Sequence, residues 1–238
     1  MASSSNRSVH LDCSVETIDP RDDSMMAVDT NEEDWHRMHD IVFTNGQVLE
    51  YIGLGLTILD VGFAQARHPL NTTFHYFEIQ IIDPGENCYI AIGLTQKDYP
   101  KNRHPGWDKG SIAYHADDGK IFIGSGVGED FGPRCHKGDI LGCGISFRND
   151  PAYMNDFSDI ASEDSVNWSD DSPSSSDNES NDVMNGEPKS RPVEVFFTRN
   201  GSIIGVRRVE MPSSGFYPSI GMLSTNEKVR VDLRPLTG

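Results

Sequence analysis

The stretch HYFEIQII, His75 to Ile82, puts Phe77, Ile79 and Ile81 on one side of an extended chain and Tyr76, Glu78 and Gln80 on the other. A helix would spread those apolar side chains around its axis. A strand, with its period of two, gathers them onto one buried face. Segments of the same kind recur along the chain: CYIAIGL (88–94), SIAYH (111–115), KIFIG (120–124), DILGCGISF (139–147), VEVFFTRNGSIIGV (193–206), YPSIGML (217–223) and KVRVDL (228–233). Asn200-Gly201 separates two apolar runs, a strong hairpin signal because both residues accept positive φ. Gly142 and Gly144 share one face of their strand, which predicts close approach by a neighbouring element. Ten or more short strands with almost no helical period predict an all-β protein, a twisted antiparallel sandwich or barrel.

The net charge of −17 is unevenly placed. Residues 1–40 carry ten acids against three bases, and residues 151–190 carry ten acids against Lys189 alone. The rest of the chain is nearly neutral. Residues 1–27 and the Ser-rich stretch 148–191 have the composition of disordered chain, so the sequence predicts one domain over 41–236 interrupted by a solvated insertion. Loop-closure entropy grows only logarithmically with length, so such an insertion is compatible with a sandwich. Between tail and domain, Thr30 and Glu33 fit a capping box. That pattern predicts a short helix over 31–39 pinned by Trp35, within a helical or extended lead-in spanning 28–40.

Charge and composition also exclude partner classes. A nucleic-acid surface needs concentrated Lys and Arg, which this chain lacks. No apolar run is long enough to cross a bilayer, and the first residues lack the apolar core of a signal peptide, so no membrane partner is expected. Cys13, Cys88, Cys135 and Cys143 show no C-x-x-C spacing. Free thiols in a reducing, cytoplasmic compartment are expected, with nuclear access open.

Several residues look reactive. Asp117-Asp118-Gly119 lies between two strands, where Asp and Gly suit a tight hairpin connection. Asp117 and Asp118 lack the alternating ligands of a calcium loop, and His36-x-x-His39 has no third ligand, so no metal is expected. GSGVGEDFG (124–132) is followed by no helix that could receive a phosphate, and Glu129 and Asp130 would repel one. No cofactor is expected.

The segments YFEIQI, IAIGL, Gly106-Trp107, SIAYHADDGKIFIGSG, KGDILGCGISF and VFFTRNGSIIG…FYPSIGM…VRVDL resemble, in that order, the SPRY (B30.2/SPRY) domain. The resemblance implies a concanavalin A-like jelly-roll sandwich without catalytic activity, which holds short peptide segments of partners in loops at one edge. It implies a binding role for loops resembling TQKDYPKNRHPGW (95–107) and AQARHPL (64–70). Arg67, His68, Tyr99, Lys101, Asn102, Arg103 and His104 are therefore the candidate peptide-binding residues. Their basic character leads to the expectation of a monomeric adaptor or scaffold whose protein partner presents a short, extended, acidic segment. The alternatives are a structural or self-associating domain without a peptide ligand and, more distantly, a hydrolytic enzyme using His115 or Cys143.

Overall fold

The computed structural model describes residues 32–44, 46–147 and 191–235. The disorder expected for 1–27 and for the insertion up to residue 190 lies outside the described residues. A 3-10 turn, Glu32–Asp34, leads into fourteen strands. They are β1 (Trp35–His39), β2 (Ile41–Thr44), β3 (Val48–Tyr51), β4 (Gly62–Ala66), β5 (Tyr76–Pro84), β6 (Ala91–Thr95) and β7 (Ser111–His115), followed by β8 (Lys120–Ile123), β9 (Gly128–Asp130), β10 (Ile140–Ser146), β11 (Arg191–Arg199), β12 (Ser202–Met211), β13 (Tyr217–Met222) and β14 (Glu227–Asp232).

They form two seven-stranded antiparallel sheets, in the orders β1-β4-β13-β6-β7-β8-β9 and β12-β11-β10-β5-β14-β3-β2. The sheets pack face to face as a β-sandwich. Alternation decides which side chains meet between them. Ile92, Leu94, Ile112, Tyr114 and Ile220 come from the first sheet; Phe77, Ile79, Ile81, Leu141, Ile145, Val195 and Phe197 come from the second. The period-two reading of β5 is thus the packing observed.

Asn200 and Gly201, at φ of 51° and 77°, turn β11 into β12. The glycines of β10 are flat ground for their neighbours. A Cβ on Gly142 would lie 2.0 Å from the Tyr76 hydroxyl, and one on Gly144 would lie 2.5 Å from the Phe196 ring. Tyr76 and Phe196 stack at 5.6 Å across these positions.

The helix expected over 31–39 is not formed. After one 3-10 turn the chain extends as β1 and pairs with β4, Trp35 opposite Ala66 and His39 opposite Phe63. Local capping signals lose here to strand pairing and to burial of Trp35, which is 4% exposed. The segment 64–70 is likewise only partly a loop, because Ala64–Ala66 belong to β4.

Candidate functional site

The connection from β6 to β7 is an Ω-loop, a compact excursion whose ends meet and whose own side chains fill it. The Gln96 amide donates to the Gly110 carbonyl at 2.7 Å, closing the loop. Tyr99 turns inward onto Phe63 of β4, ring centroids 5.7 Å apart, and is fully buried. Its hydroxyl donates to the His104 carbonyl at 2.6 Å and accepts from the Asp108 amide at 3.0 Å. His104 lies against Gly221 of β13, where a Cβ would come within 2.4 Å of its Nδ1. The His115 Nε2 is 3.0 Å from the Pro105 carbonyl. A carbonyl can only accept, so Nε2 carries the proton in that bond. Burial and the neighbouring His115 hold the His104 imidazole well below the usual histidine range, and burial takes His115 down to about 4.

This geometry sorts the expected binding residues. Tyr99 and His104 shape the loop from inside and are buried away from solvent. Arg103 grips Asp108 through Nε and Nη2 at 3.1 and 3.0 Å, and its guanidinium carbon sits 5.2 Å from the centre of the Trp107 ring. Lys101 and Asn102 are exposed on the same loop. Arg67 and His68 are exposed where the chain leaves β4.

Beside the Ω-loop runs a groove of about 480 Å³ whose walls include Trp107, Phe122, Tyr89, Leu56, Ile58 and Leu223. One wall is residues 55–58, part of the segment 52–60, which carries Ile52, Leu54, Leu56, Ile58 and Leu59 at 59 to 78% exposure. Such a row of aliphatic side chains in water is an exposed apolar patch of the kind that interaction surfaces present. The segment is braced. The Tyr51 hydroxyl donates to the Asp60 carbonyl at 2.5 Å and accepts from the Gly55 amide at 3.0 Å. The Asp60 carboxylate accepts from the Leu56 and Thr57 amides at 3.1 and 2.8 Å. Gly55, at φ of 65°, passes so close to the Leu223 carbonyl that a Cβ would lie 2.7 Å from it. Leu223 is itself set by Glu227, a buried carboxylate accepting from the Leu223 and Ser224 amides at 2.8 and 3.1 Å. Asp117 and Asp118 also line the groove. Burial and the adjacent Asp118 charge push the Asp117 carboxyl up to about 6.

The reactive-looking loop is a turn. Gly119 adopts φ of 74°, its amide reaches the His115 carbonyl at 3.1 Å, and the Asp118 carboxylate accepts from the Lys120 amide at 3.0 Å. Cys143 is fully buried and its thiol is pushed up by burial, the opposite of an activated nucleophile. Among the described residues, no three His, Cys, Asp or Glu side chains are grouped to hold a metal ion.

A second groove, of about 580 Å³, opens at the end of the sandwich where 67–75 crosses from β4 to β5. His68, His75, Phe74 and Arg234 line it. The two loops singled out from the sequence each contribute residues to one of these grooves, whereas the aliphatic wall at 52–59 was not singled out. Its signal was an apolar run in which Gly53 and Gly55 interrupt strand alternation.

A family model described as "SPRY domain" matches residues 74–151. SPRY domain-containing protein 3 of Homo sapiens is 53% identical over 240 residues, which is 91% of this chain and 53% of that protein. The chain thus spans about half the length of this curated relative. The Ran-binding proteins 9/10 homolog of Drosophila melanogaster is 29% identical over 78% of this chain and 15% of its own length. A crystal structure of a human SPRY domain superposes with a TM-score of 0.63 at 30% identity, covering 84% of this chain and 99% of that one. The jelly-roll sandwich, the order of its strand motifs and these matches together assign the chain to the SPRY domain family of protein-interaction modules.

Proposed function

We propose that this domain is a non-catalytic adaptor or scaffold module, working inside the cell, that seats a short extended segment of a partner protein in the groove beside the Ω-loop. The observation that carries this reading is the braced row of exposed aliphatic side chains, with Leu54 at 70% and Leu56 at 78%. A rigid wall loses little conformational entropy when it is covered, so most of the apolar contact appears as affinity. The wall and the Asp117–Asp118 pair fit a segment with aliphatic anchors at alternate positions and a Lys or Arg beside them. Lys101 and Asn102, exposed on the Ω-loop, are free to contribute contacts beyond the groove, whereas Tyr99 and His104 act by holding the loop. Arg103 is already engaged by Asp108, so the acidic ligand expected from sequence suits the exposed Arg67 and His68 at the end groove instead.

Selection of an unbiased peptide library on the intact protein tests this. Enriched sequences should pair aliphatic anchors with a basic residue. Leu56→Asp should weaken them roughly 10- to 100-fold, the equivalent of one buried leucine. Equal binding by Leu56→Asp and wild type would move the site off this groove.

The same aliphatic row favours a second reading, in which two copies of the domain cover it with each other. Sedimentation across a concentration series separates the two: a rising mass abolished by Leu56→Asp would support self-association.

A further inference from the structure

The end groove lies at the far end of the strands from the aliphatic wall. β4 enters at Gly62, straight from the braced segment 52–60, and leaves at Ala66 on the end groove. β14 begins at Glu227, whose carboxylate holds Leu223 on the first groove, and runs out into Leu233 and Arg234 on the second. At about 3.3 Å per residue, the 6 residues of β14 set the two grooves roughly 20 Å apart. The grooves share none of their described lining residues.

Their chemistry is reversed as well. Where the first groove carries Asp117 and Asp118, the end groove is lined by His68, His75 and Arg234, with Arg67 exposed beside them. Asp34 is the one acid among its described lining residues. The Asp232 carboxylate accepts from the Arg234 amide at 2.8 Å, which fixes the backbone there. Ion pairs among the described residues use neither Arg67 nor Arg234. Phe74, Pro69, Leu233 and Pro235 supply an apolar floor. The site is also preformed. The Asn71 carboxamide oxygen accepts from the Thr73 and Phe74 amides at 2.9 and 2.8 Å. The Leu70 amide donates to the Phe216 carbonyl and the Ile145 amide to the His75 carbonyl, each at 2.8 Å, tying the loop to both sheets. Little ordering remains to be done when a ligand arrives.

We infer that the end groove is a second docking site, taking an extended segment of a partner protein in which Asp or Glu flank an aliphatic or aromatic anchor. The anchor lies on the Phe74–Leu233 floor. The carboxylates pair with Arg67 and Arg234, whose planar guanidinium groups can hold a carboxylate at two points. A basic segment is repelled here and an acidic one is repelled at Asp117 and Asp118, so the domain tells two segments apart by charge. With one groove at each end of the sandwich, both segments are held at once and the module acts as a bridge. The acidic site stands without the reading of the first groove; only the bridging rests on it.

Amide spectra of the intact protein, titrated with one defined probe, test this. The probe is a peptide with a central leucine, two aspartates before it and two glutamates after it. The amides of His68, Asn71, His75 and Arg234 should shift together, while Leu56 and Thr57 stay in place. Arg67→Glu with Arg234→Glu should weaken binding roughly tenfold or more and leave the rest of the spectrum unchanged. Glycine in place of the probe's leucine should cost roughly tenfold, and lysines in place of its acids should abolish binding. Inorganic phosphate separates a segment site from a small-anion site. Phosphate shifts as large as the peptide's at equal concentration, shifts only at 52–59, or no shift at either groove would overturn the inference. A peptide selected on the aliphatic groove is then added to protein saturated with the probe. Both should stay bound, and displacement of one by the other would overturn the bridge while leaving the acidic site to its own shifts.

Discussion

Phe197→Ala should lower the thermal midpoint by roughly 6 to 20 °C, the shift that about 3–5 kcal/mol produces in a domain of this size. Phe197 is fully buried on β11, paired between β12 and β10 in the second sheet. Its ring meets Tyr114 of β7 at 6.2 Å and Phe131 at 5.7 Å, the latter edge-on. Those two partners belong to the first sheet and its connections, so the phenylalanine cements one sheet to the other. Truncation removes the transfer energy of the ring and leaves a cavity that β-sheets, tied by their ladders, cannot collapse around. Typical domains have only about 5–15 kcal/mol of stability in total. A denaturation experiment showing a shift of about 2 °C or less would mean that the contact between the sheets is elsewhere.

The strands that were legible in the sequence owe their form to their own alternation. β5 and β7 needed no knowledge of their neighbours, and Asn200-Gly201 announces its turn by tolerating positive φ. β1 was not legible, because Trp35 to His39 takes its hydrogen bonds from β4, some thirty residues on, while Thr30 and Glu33 advertise a local helix. The Ω-loop shows the same limit at the candidate site. Its position was clear from length and proline content, but the direction of each side chain was not. Tyr99 and His104 look like polar contact residues in sequence. They turn inward because Gly221 leaves room on β13 and Phe63 offers an apolar ring on β4. Both of those residues are remote in the chain. The aliphatic wall at 52–59 was hidden for the opposite reason. Apolar residues in a β-rich sequence read as core, and only the bracing by Tyr51 and Asp60 turns them outward.

The buried histidine pair makes the Ω-loop sensitive to acid, and the sign can be worked out group by group. His115 titrates at about 4 in the folded protein against an ordinary value of 6.5, because burial disfavours its charge. The folded state therefore binds fewer protons than the unfolded chain between those values. Its contribution is fully present above 6.5 and is lost as pH falls toward 4, about 3 kcal/mol in all. His104 acts in the same direction, with its Nδ1 buried and unpartnered among the described residues and the Arg103 guanidinium close by. Two carboxyls oppose them. Burial raises Glu227 to about 7 from 4.5 and Asp117 to about 6 from 3.8, so each stabilises the fold more as pH falls through those windows. Wild type should thus lose less on acidification than its histidines alone dictate. Glu227→Gln, which removes one opposing group, should steepen the drop in thermal midpoint between about pH 7 and about pH 5. His115→Phe should lower the midpoint near neutrality, since the bond to Pro105 is gone, yet flatten the same drop. The direct check is the imidazole nitrogen spectrum of the folded protein. There His115 should remain neutral, with the proton on Nε2, at about pH 6, where an unperturbed histidine is mostly charged. A His115 that titrates near 6.5 would place the Ω-loop in contact with water. Because His104, His115 and Trp107 line the proposed peptide groove, acid that charges the pair should loosen that proposed binding before it unfolds the sandwich.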